Sequence, residues 1–380
     1  MKKKLTILLA LTLALTSMLS GCGKSDYDFE GNDLSAFITL PSDVTTRDYT
    51  QGLTLKSEPT EEDINKEIDE VLSKHAEEID LDENAVVEDL DELVIDYVGK
   101  IDGEAFDNGS ASDTEHTVNI EDSEFIDGFD KGMLGMKLGE TKDISVKFPD
   151  PYQNNPDLAG KDAVFTVTVN KITRTKNPEL TDELVKENPK DFENMATAAE
   201  YKEHIKEHLE EEVKTENNKK IINAAWKYVL ENATYNSYPD GILEQYEQTY
   251  LDYYEHTVAA NQNQHLKEYV KAQGYTSIEA FNEAVVKPEA ETALKEKLAL
   301  YAVAKLVDVK ITADDVKAYA EEYYEDYIEP SLEFYSAYFG ISSFNDYYKQ
   351  VKEDESTKQG LLFDRTFETV CKIEKAESAH

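Results

Sequence analysis

Apolar positions along this chain keep two different periods. From Val164 to Val169 they alternate with polar ones, which puts successive side chains on opposite faces of a strand. A second apolar run opens at Leu93, and Asp102-Gly103 is a hairpin turn pair, so Leu93 to Ile172 predicts a small, mostly β domain. Upstream, Ile64, Ile68, Val71, Leu72 and Ile79 recur at helical spacing behind Thr60, a capping residue with Asp63 near the capping-box position. One helix therefore leads into the β domain. Arg174 to Glu179 with Pro178 forms a polar joint, and from Leu180 onward Glu, Lys, Ala and Tyr dominate while Gly and Pro are scarce. Helices are predicted over Ala198 to Thr215, running on through Ile221, Trp226 and Leu230, and over Ile242 to Ala259, Leu266 to Gln273, Ser277 to Leu306, Ala313 to Tyr327 and Phe344 to Val351. Tyr238-Pro239-Asp240-Gly241 breaks the series. From Gly23 to Tyr49 the chain is polar and weakly patterned, with Gly31, Asn32, Pro41, Ser42 and Asp43 as breakers, and is expected to be a tether.

The 380 residues, 40% hydrophobic, suffice for two or three domains with their own cores. The formal net charge is −41; without the first 21 residues and their three lysines it is 36 minus 80, or −44. Such a surface repels phosphate backbones, which excludes nucleic acid as a partner. Lys2 to Lys4 precede an apolar run from Leu5 to Leu15, short for a membrane span and suited to a secretory signal. Leu19-Ser20-Gly21-Cys22 then resembles a bacterial lipobox, whose cysteine is diacylated and becomes the new N-terminus. Two acyl chains, at about 0.8 kcal/mol per buried CH2, reach the threshold of stable anchoring. The expectation is a lipid-anchored protein on the extracytoplasmic face of the cell membrane. With Cys22 lipidated, Cys371 has no partner for an intramolecular disulfide and reads as a half-buried thiol.

The order and spacing of several elements carry a resemblance. Val94 to Gly99, Asp102-Gly103-Glu104-Ala105-Phe106-Asp107, Phe125-Ile126-Asp127-Gly128-Phe129, Phe148-Pro149, Ala159-Gly160-Lys161 and the strand Ala163 to Ile172 resemble an FKBP-type peptidyl-prolyl isomerase domain, in the short form carried by bacterial trigger factor. The resemblance implies a proline pocket of Tyr97, Phe106, Phe125, Ile126, Phe129 and Phe165, with Asp107 beside the reacting carbonyl, the Ile126 N–H holding the substrate's own carbonyl, and Tyr152 helping to close the cavity. No cofactor or metal is implied. On their own, aromatics at alternating strand positions read as core. His116, Glu121 and Asp127 depart from the family pattern of an aromatic, a glycine and a proline, which predicts weaker binding.

Two later stretches resemble the helical chaperone module of trigger factor: Ser237, Pro239, Ile242, Leu243, Glu244 and Tyr250, then Leu294, Leu298, Ala302, Lys305, Ile311, Thr312, Asp314, Asp315 and Val316. The fold class expected is α+β multidomain, with a small antiparallel FKBP-like domain inserted in a mainly helical chaperone domain. The divisions are 1–21 signal, 22–50 tether, 51–88 helical lead-in packing with the chaperone domain, 89–173 isomerase domain and 174–380 chaperone domain. Tyr246, Tyr250 and Tyr254 share one helix face and Tyr319, Tyr323 and Tyr327 another; these six are candidate contacts for unfolded chains, or else interhelical packing. Expected partners are unfolded or nascent secreted polypeptides with X-Pro bonds, and the membrane through its lipid. No ribosome is expected, because the ribosome-docking domain has no counterpart between Cys22 and Tyr49.

Weaker signals are set aside. Asp80, Asp82 and Asn84 occupy three EF-hand positions, but Ala85 replaces the turn glycine and Asp91 the final glutamate. His204 and His208, four apart, lack an HExxH arrangement and read as a solvated face. Two other functions stay open: an isomerase-inactive holdase or assembly factor, and a solute-binding lipoprotein, which predicts two α/β lobes.

Overall fold

The computed structural model describes residues 27–82, 84–120 and 125–373, with backbone alone over 113–116. In chain order these form β1 (Ile38–Thr39), α1 (Glu61–Leu72), β2 (Glu77–Asp80), β3 (Glu92–Ile101), β4 (Glu104–Asn119), β5 (Thr141–Lys147), β6 (Asp162–Lys176), α2 (Asp182–Glu187) and α3 (Ala198–Asn232). There follow β7 (Thr234–Tyr235), α4 (Ile242–Tyr253), α5 (Leu266–Ala272), α6 (Ile278–Phe281), α7 (Lys287–Leu306), α8 (Ala313–Tyr323), α9 (Leu332–Phe339), α10 (Phe344–Val351) and α11 (Glu355–Cys371). Two compact units result: residues 59–209, and a mainly helical unit that joins the segment before residue 59 to everything from 210 onward. In chain order the first unit is an insertion in the second.

Within 59–209, β6 is the central strand of a five-stranded antiparallel sheet. It pairs with β3 on one side and with β5 and then β2 on the other, and β4 completes the sheet beyond β3. Its alternation fulfils the pattern in the sequence: Ala163, Phe165, Val167 and Val169 are buried while Asp162, Val164 and Asn170 face out. The β3–β4 hairpin turns on Asp102 and Gly103 at φ +52° and +86°, the left-handed pair of a type I′ turn. β2 extends this sheet upstream of the expected boundary at residue 89. All four of its residues are exposed, so no alternation marks it in the sequence.

A second cluster in this unit packs α1 against the chain that follows β6. Thr60 and Asp63 form a reciprocal capping box, and Ile64, Ile68 and Leu72 bury against Val185, Phe192, Tyr201 and Ile205. Asp91 is fully buried and receives Arg174 Nε and Nη2 at 2.7 and 2.9 Å and the Glu88 N–H at 2.8 Å. Arg174 Nη2 also reaches the Val86 carbonyl at 3.0 Å, clamping the approach to β3 onto β6. The candidate calcium loop is thus otherwise used: Asp91 is committed to Arg174, and Asp80 to Lys171 at 2.9 Å and Thr173 at 3.1 Å.

The helical unit is built around Trp226, which lies edge-on to Phe363 and Phe367 at 5.4 and 5.3 Å and shares its core with Leu294, Leu298 and Val303 of α7. The expected tether differs most from what is found. Phe29, Leu34, Ile38, Val44 and Tyr49 are all buried in this core, β1 pairs with β7, and Tyr228 Oη donates to Asp43 Oδ1 at 2.6 Å beneath the Arg47 guanidinium. Irregularly spaced apolar anchors, each burial contributing about 1.5–3 kcal/mol, hold a segment that has no periodicity to announce it. The fold class is α+β, one antiparallel sheet domain with a helical remainder, and not two α/β lobes.

Candidate functional site

Seven aromatic rings form one connected cluster in the sheet domain. Phe129 is fully buried and forms the floor, stacked on Phe125 at 4.3 Å and 16° and edge-on to Phe165 at 5.1 Å and 80°. Tyr97 stands edge-on to Phe125 at 5.5 Å and to Phe129 at 5.8 Å. Phe106 closes the other side, edge-on to Phe165 at 5.9 Å and to Phe148 at 5.8 Å, and Phe148 carries Tyr152 at 5.0 Å. Edge-to-face pairs of this kind contribute about 0.5–1.5 kcal/mol each beyond their buried area. Phe129, Phe148 and Phe165 are buried, whereas Tyr97, Phe106, Phe125, Ile126 and Tyr152 are only partly so. The half-covered rings therefore present aromatic surface to solvent, and the covered ones are the core beneath it.

Backbone irregularity places Phe106. Lys100 pairs with Ala105 and Val98 with Ser110, so residues 106–109 bulge from β4 opposite Gly99 alone. The bulge swings the Phe106 ring across two glycines. A Cβ on Gly99 would lie 2.8 Å from that ring and 2.6 Å from Phe165, and one on Gly109 would lie 2.4 Å from Phe106. Asp107 sits on the same bulge with its carboxylate exposed. On the opposite rim, Phe129 N donates to the Ile126 carbonyl at 3.1 Å and Gly128 has φ +90°, a type II turn with Asp127 at its first central position. That position favours proline but accepts most residues, so Asp127 preserves the turn. His116 and Glu121, the other departures, lie outside the described side chains. The Ile126 N–H donates no hydrogen bond among the described residues, which leaves it available at the rim. Burial raises the Tyr97 phenol above its ordinary pKa, so it stays a protonated O–H.

All eight residues expected at the site fall in or beside this one cluster. Phe148, Gly99 and Gly109 belong with them; the sequence gives Phe148 and Gly99 only as motif elements with no role at the site and does not single out Gly109, and two glycines bracketing Phe106 on facing strands are the signal for it.

The candidate client tyrosines divide differently. Tyr250 is 3% exposed and packed with Leu266, Val270 and Phe281, so it offers no surface. Tyr254 Oη is engaged by Glu289 at 3.0 Å, and Tyr246, Tyr254, Tyr319 and Tyr323 are half-buried. Their spacing is that of interhelical packing. Tyr327 is 40% exposed, and the large exposed aromatics lie just beyond it, on α9: Phe334, Tyr338 and Phe339 at 53%, 74% and 56%. Cys22 lies outside the described residues.

Comparison with known proteins agrees with this geometry. Residues 83–170 match the family model described as FKBP-type peptidyl-prolyl cis-trans isomerase, and residues 197–339 match that of the bacterial trigger factor C-terminus. The chain is 31% identical over 287 residues to the trigger factor of Shouchella clausii, covering 75% of this chain and 63% of that protein. It is 33% identical over 296 residues to that of Macrococcus caseolyticus, covering 75% and 64%. For Halothermothrix orenii the identity is 32% over 311 residues, covering 80% of this chain and 69% of the trigger factor. The chain thus spans a little under two thirds of the length of the first two relatives. It belongs to the trigger factor family, with an FKBP-type isomerase domain followed by the family's helical C-terminal domain.

Proposed function

We propose that this protein is a membrane-anchored extracytoplasmic foldase, which isomerises X-Pro bonds of unfolded secreted chains in the aromatic cluster and holds those chains on its helical unit. The observation that carries the reading is the half-covered cage of Tyr97, Phe106 and Phe125 over Phe129 and Phe165. Rotation about an X-Pro bond faces a barrier of about 18–20 kcal/mol because the planar amide is stabilised by resonance. The twisted transition state has lost that resonance and carries a smaller dipole, so an apolar aromatic cage stabilises it relative to the planar ground state. No nucleophile is required. The Ile126 N–H, which donates no hydrogen bond among the described residues, orients the substrate by its own carbonyl, and Asp107, exposed on the bulge, supplies the carboxylate beside the reacting carbonyl.

Holding the client on the same chain as the pocket raises its effective concentration without any change in the pocket itself. The α9 aromatics supply apolar surface for this, in place of the packed tyrosines of α4. They also favour a second reading, a holdase whose β domain binds but does not catalyse. Anchoring rests on the lipobox-like Leu19-Ser20-Gly21-Cys22, and the acidic surface suits a partner other than nucleic acid or ribosome.

Proline-limited refolding of a client separates the two functions. The foldase reading predicts that catalytic amounts of protein speed the slow phase, and that Phe106→Leu abolishes the acceleration while still suppressing client aggregation. Suppressed aggregation with an unchanged slow phase in wild type would leave only the holdase.

A further inference from the structure

β5 carries a lysine where its pattern calls for an apolar residue. Ile144 and Val146 are buried, and Lys142 precedes them in the same phase, opposite Val167, which is fully buried. Lysine on an edge strand ordinarily turns its ammonium to water and guards the edge. Lys142 Nζ has a fixed acceptor instead: it donates to the Gly132 carbonyl at 2.9 Å. No backbone N–H donates to that carbonyl among the described residues. Lys147, at the other end of β5 and in the opposite phase, meets Asp162 at 3.8 Å and takes no part in this contact.

Gly132 lies in the 3-10 turn Lys131–Met133, which follows directly on the turn that forms the rim of the site. Two hydrogen bonds lead from it back to that rim: the Gly132 N–H donates to the Gly128 carbonyl at 3.0 Å, and the Phe129 N–H to the Ile126 carbonyl at 3.1 Å. Gly132 also lies flat on β5, where a Cβ would stand 2.4 Å from Ile144 Cγ2. β5 thus grips this segment at one residue, by close packing from Ile144 and by a charge-assisted bond from Lys142. We infer that Lys142 is a positioning residue of the isomerase site: acting through the Gly132 carbonyl, its ammonium fixes the turn that holds the Ile126 N–H and the Phe125–Phe129 stack. This role presupposes the X-Pro isomerase activity proposed above. Packing at Ile144 sets how closely the turn approaches the sheet, and the Lys142 bond keeps it from sliding along β5. A displacement of about 1 Å in a positioned site costs up to about 100-fold in rate, so a looser turn lowers turnover without loss of the fold.

The test measures kcat/KM for a short Xaa-Pro peptide, and the affinity for that peptide, in the full chain and its variants. Lys142→Met keeps the stem and removes the donor; it is expected to lower kcat/KM about three- to tenfold and to weaken peptide binding, because the Ile126 N–H is misplaced. Lys142→Arg restores a donor and is expected to return both quantities to their wild-type values. Lys147→Met removes the same charge from the same strand and is expected to change neither. The Ile126 and Phe129 amide resonances are expected to shift in Lys142→Met and to return in Lys142→Arg, while those of Leu93 and Ile172 stay in place. A loss of fold alone would instead shrink the active fraction and leave the affinity of the remaining molecules unchanged. A wild-type rate in Lys142→Met, or an equal loss in Lys142→Met and Lys142→Arg, would overturn the positioning role and leave the isomerase activity standing. An uncatalysed rate in the wild type would overturn the isomerase reading and this role with it. If circular dichroism shows Lys142→Met unfolded, Lys142→Gln, which keeps a shorter and neutral donor, is judged by the same loss of rate and affinity against Lys142→Arg.

Discussion

Gly99→Ala tests the site most sharply, because one methyl group enters space that the Phe106 and Phe165 rings already fill. Gly99 is buried and its φ is outside the left-handed region, so the backbone accepts alanine and only space is at issue. The new Cβ would lie 2.6 Å from Phe165 Cε1, 2.8 Å from Phe106 Cε1 and 2.8 Å from the Gly109 carbonyl. Contact at 3.4 Å requires the rings to retreat by about 0.8 and 0.6 Å, and the carbonyl, being backbone, cannot give cheaply. Overpacking of this kind costs about 1–3 kcal/mol of stability. Displacement approaching 1 Å in a positioned site costs up to about 100-fold in rate, so kcat/KM for an Xaa-Pro peptide is expected to drop about tenfold or more. The assay is peptide isomerisation at a temperature where circular dichroism shows the variant folded. Gly103→Ala is the control: its φ is +86° and nothing lies within 4 Å of the added Cβ, so it strains the hairpin by about 1–2 kcal/mol and leaves kcat/KM unchanged. A Gly99→Ala protein with the wild-type rate would refute the pocket described here.

Three other outcomes follow from the packing and charges. Removing Arg174 leaves the buried Asp91 carboxylate with only the Glu88 N–H, and Arg174→Met is expected to cost about 3 kcal/mol, read as faster amide exchange in β3 and β6. Burial works to raise the Asp91 pKa, but hydrogen bonds from Arg174 and the Glu88 N–H and the Arg174 charge outweigh it, and the net shift is downward. This contribution is therefore full above the ordinary aspartate pKa and is lost as pH falls through the lower folded value, so wild type and Arg174→Met converge in acid. Burial pushes Glu296 the other way, to about 7. The folded helical unit then binds the extra proton between the ordinary glutamate range and about 7, stability declines as pH rises through that window, and Glu296→Gln stabilises at pH 8, as Trp226 fluorescence during denaturation will show. Phe29→Ala, at a side chain 3% exposed, is expected to cost about 3–5 kcal/mol by the same fluorescence measure; a loss below 1 kcal/mol would mean that the segment before residue 50 is not part of the core.

What the sequence reveals depends on whether burial is periodic. β6, the Asp102-Gly103 hairpin and the Thr60 capping box are visible because period and turn chemistry are local properties. Helix α11 carries a signal too, with Gln359, Leu362, Phe363, Thr366, Phe367 and Val370 buried at helical spacing, but its two polar members mask the stripe. β2 and the 27–49 segment leave no such trace: one is an exposed edge, and the other is a strap whose anchors fit a groove made by distant helices. The site follows the same division. Its aromatic side chains are legible through their motif order, whereas the roles of Gly99 and Gly109 appear only when the β4 bulge brings Phe106 across them. The tyrosine stripes of α4 and α8 show the limit of periodicity, which reports a face but not whether a neighbour covers it.

Turnover of X-Pro bonds by the aromatic cage is the activity on which the proposed function rests. It is tested most directly by the cis-to-trans relaxation of a short Xaa-Pro peptide with the full chain, compared with Phe106→Leu, whose ring is only partly buried and whose loss leaves the Phe129 floor in place. Catalysed relaxation is expected in the wild type and a loss of tenfold or more in the variant, with unchanged circular dichroism. Relaxation at the uncatalysed rate in both proteins would contradict it and leave the β domain as a binding module.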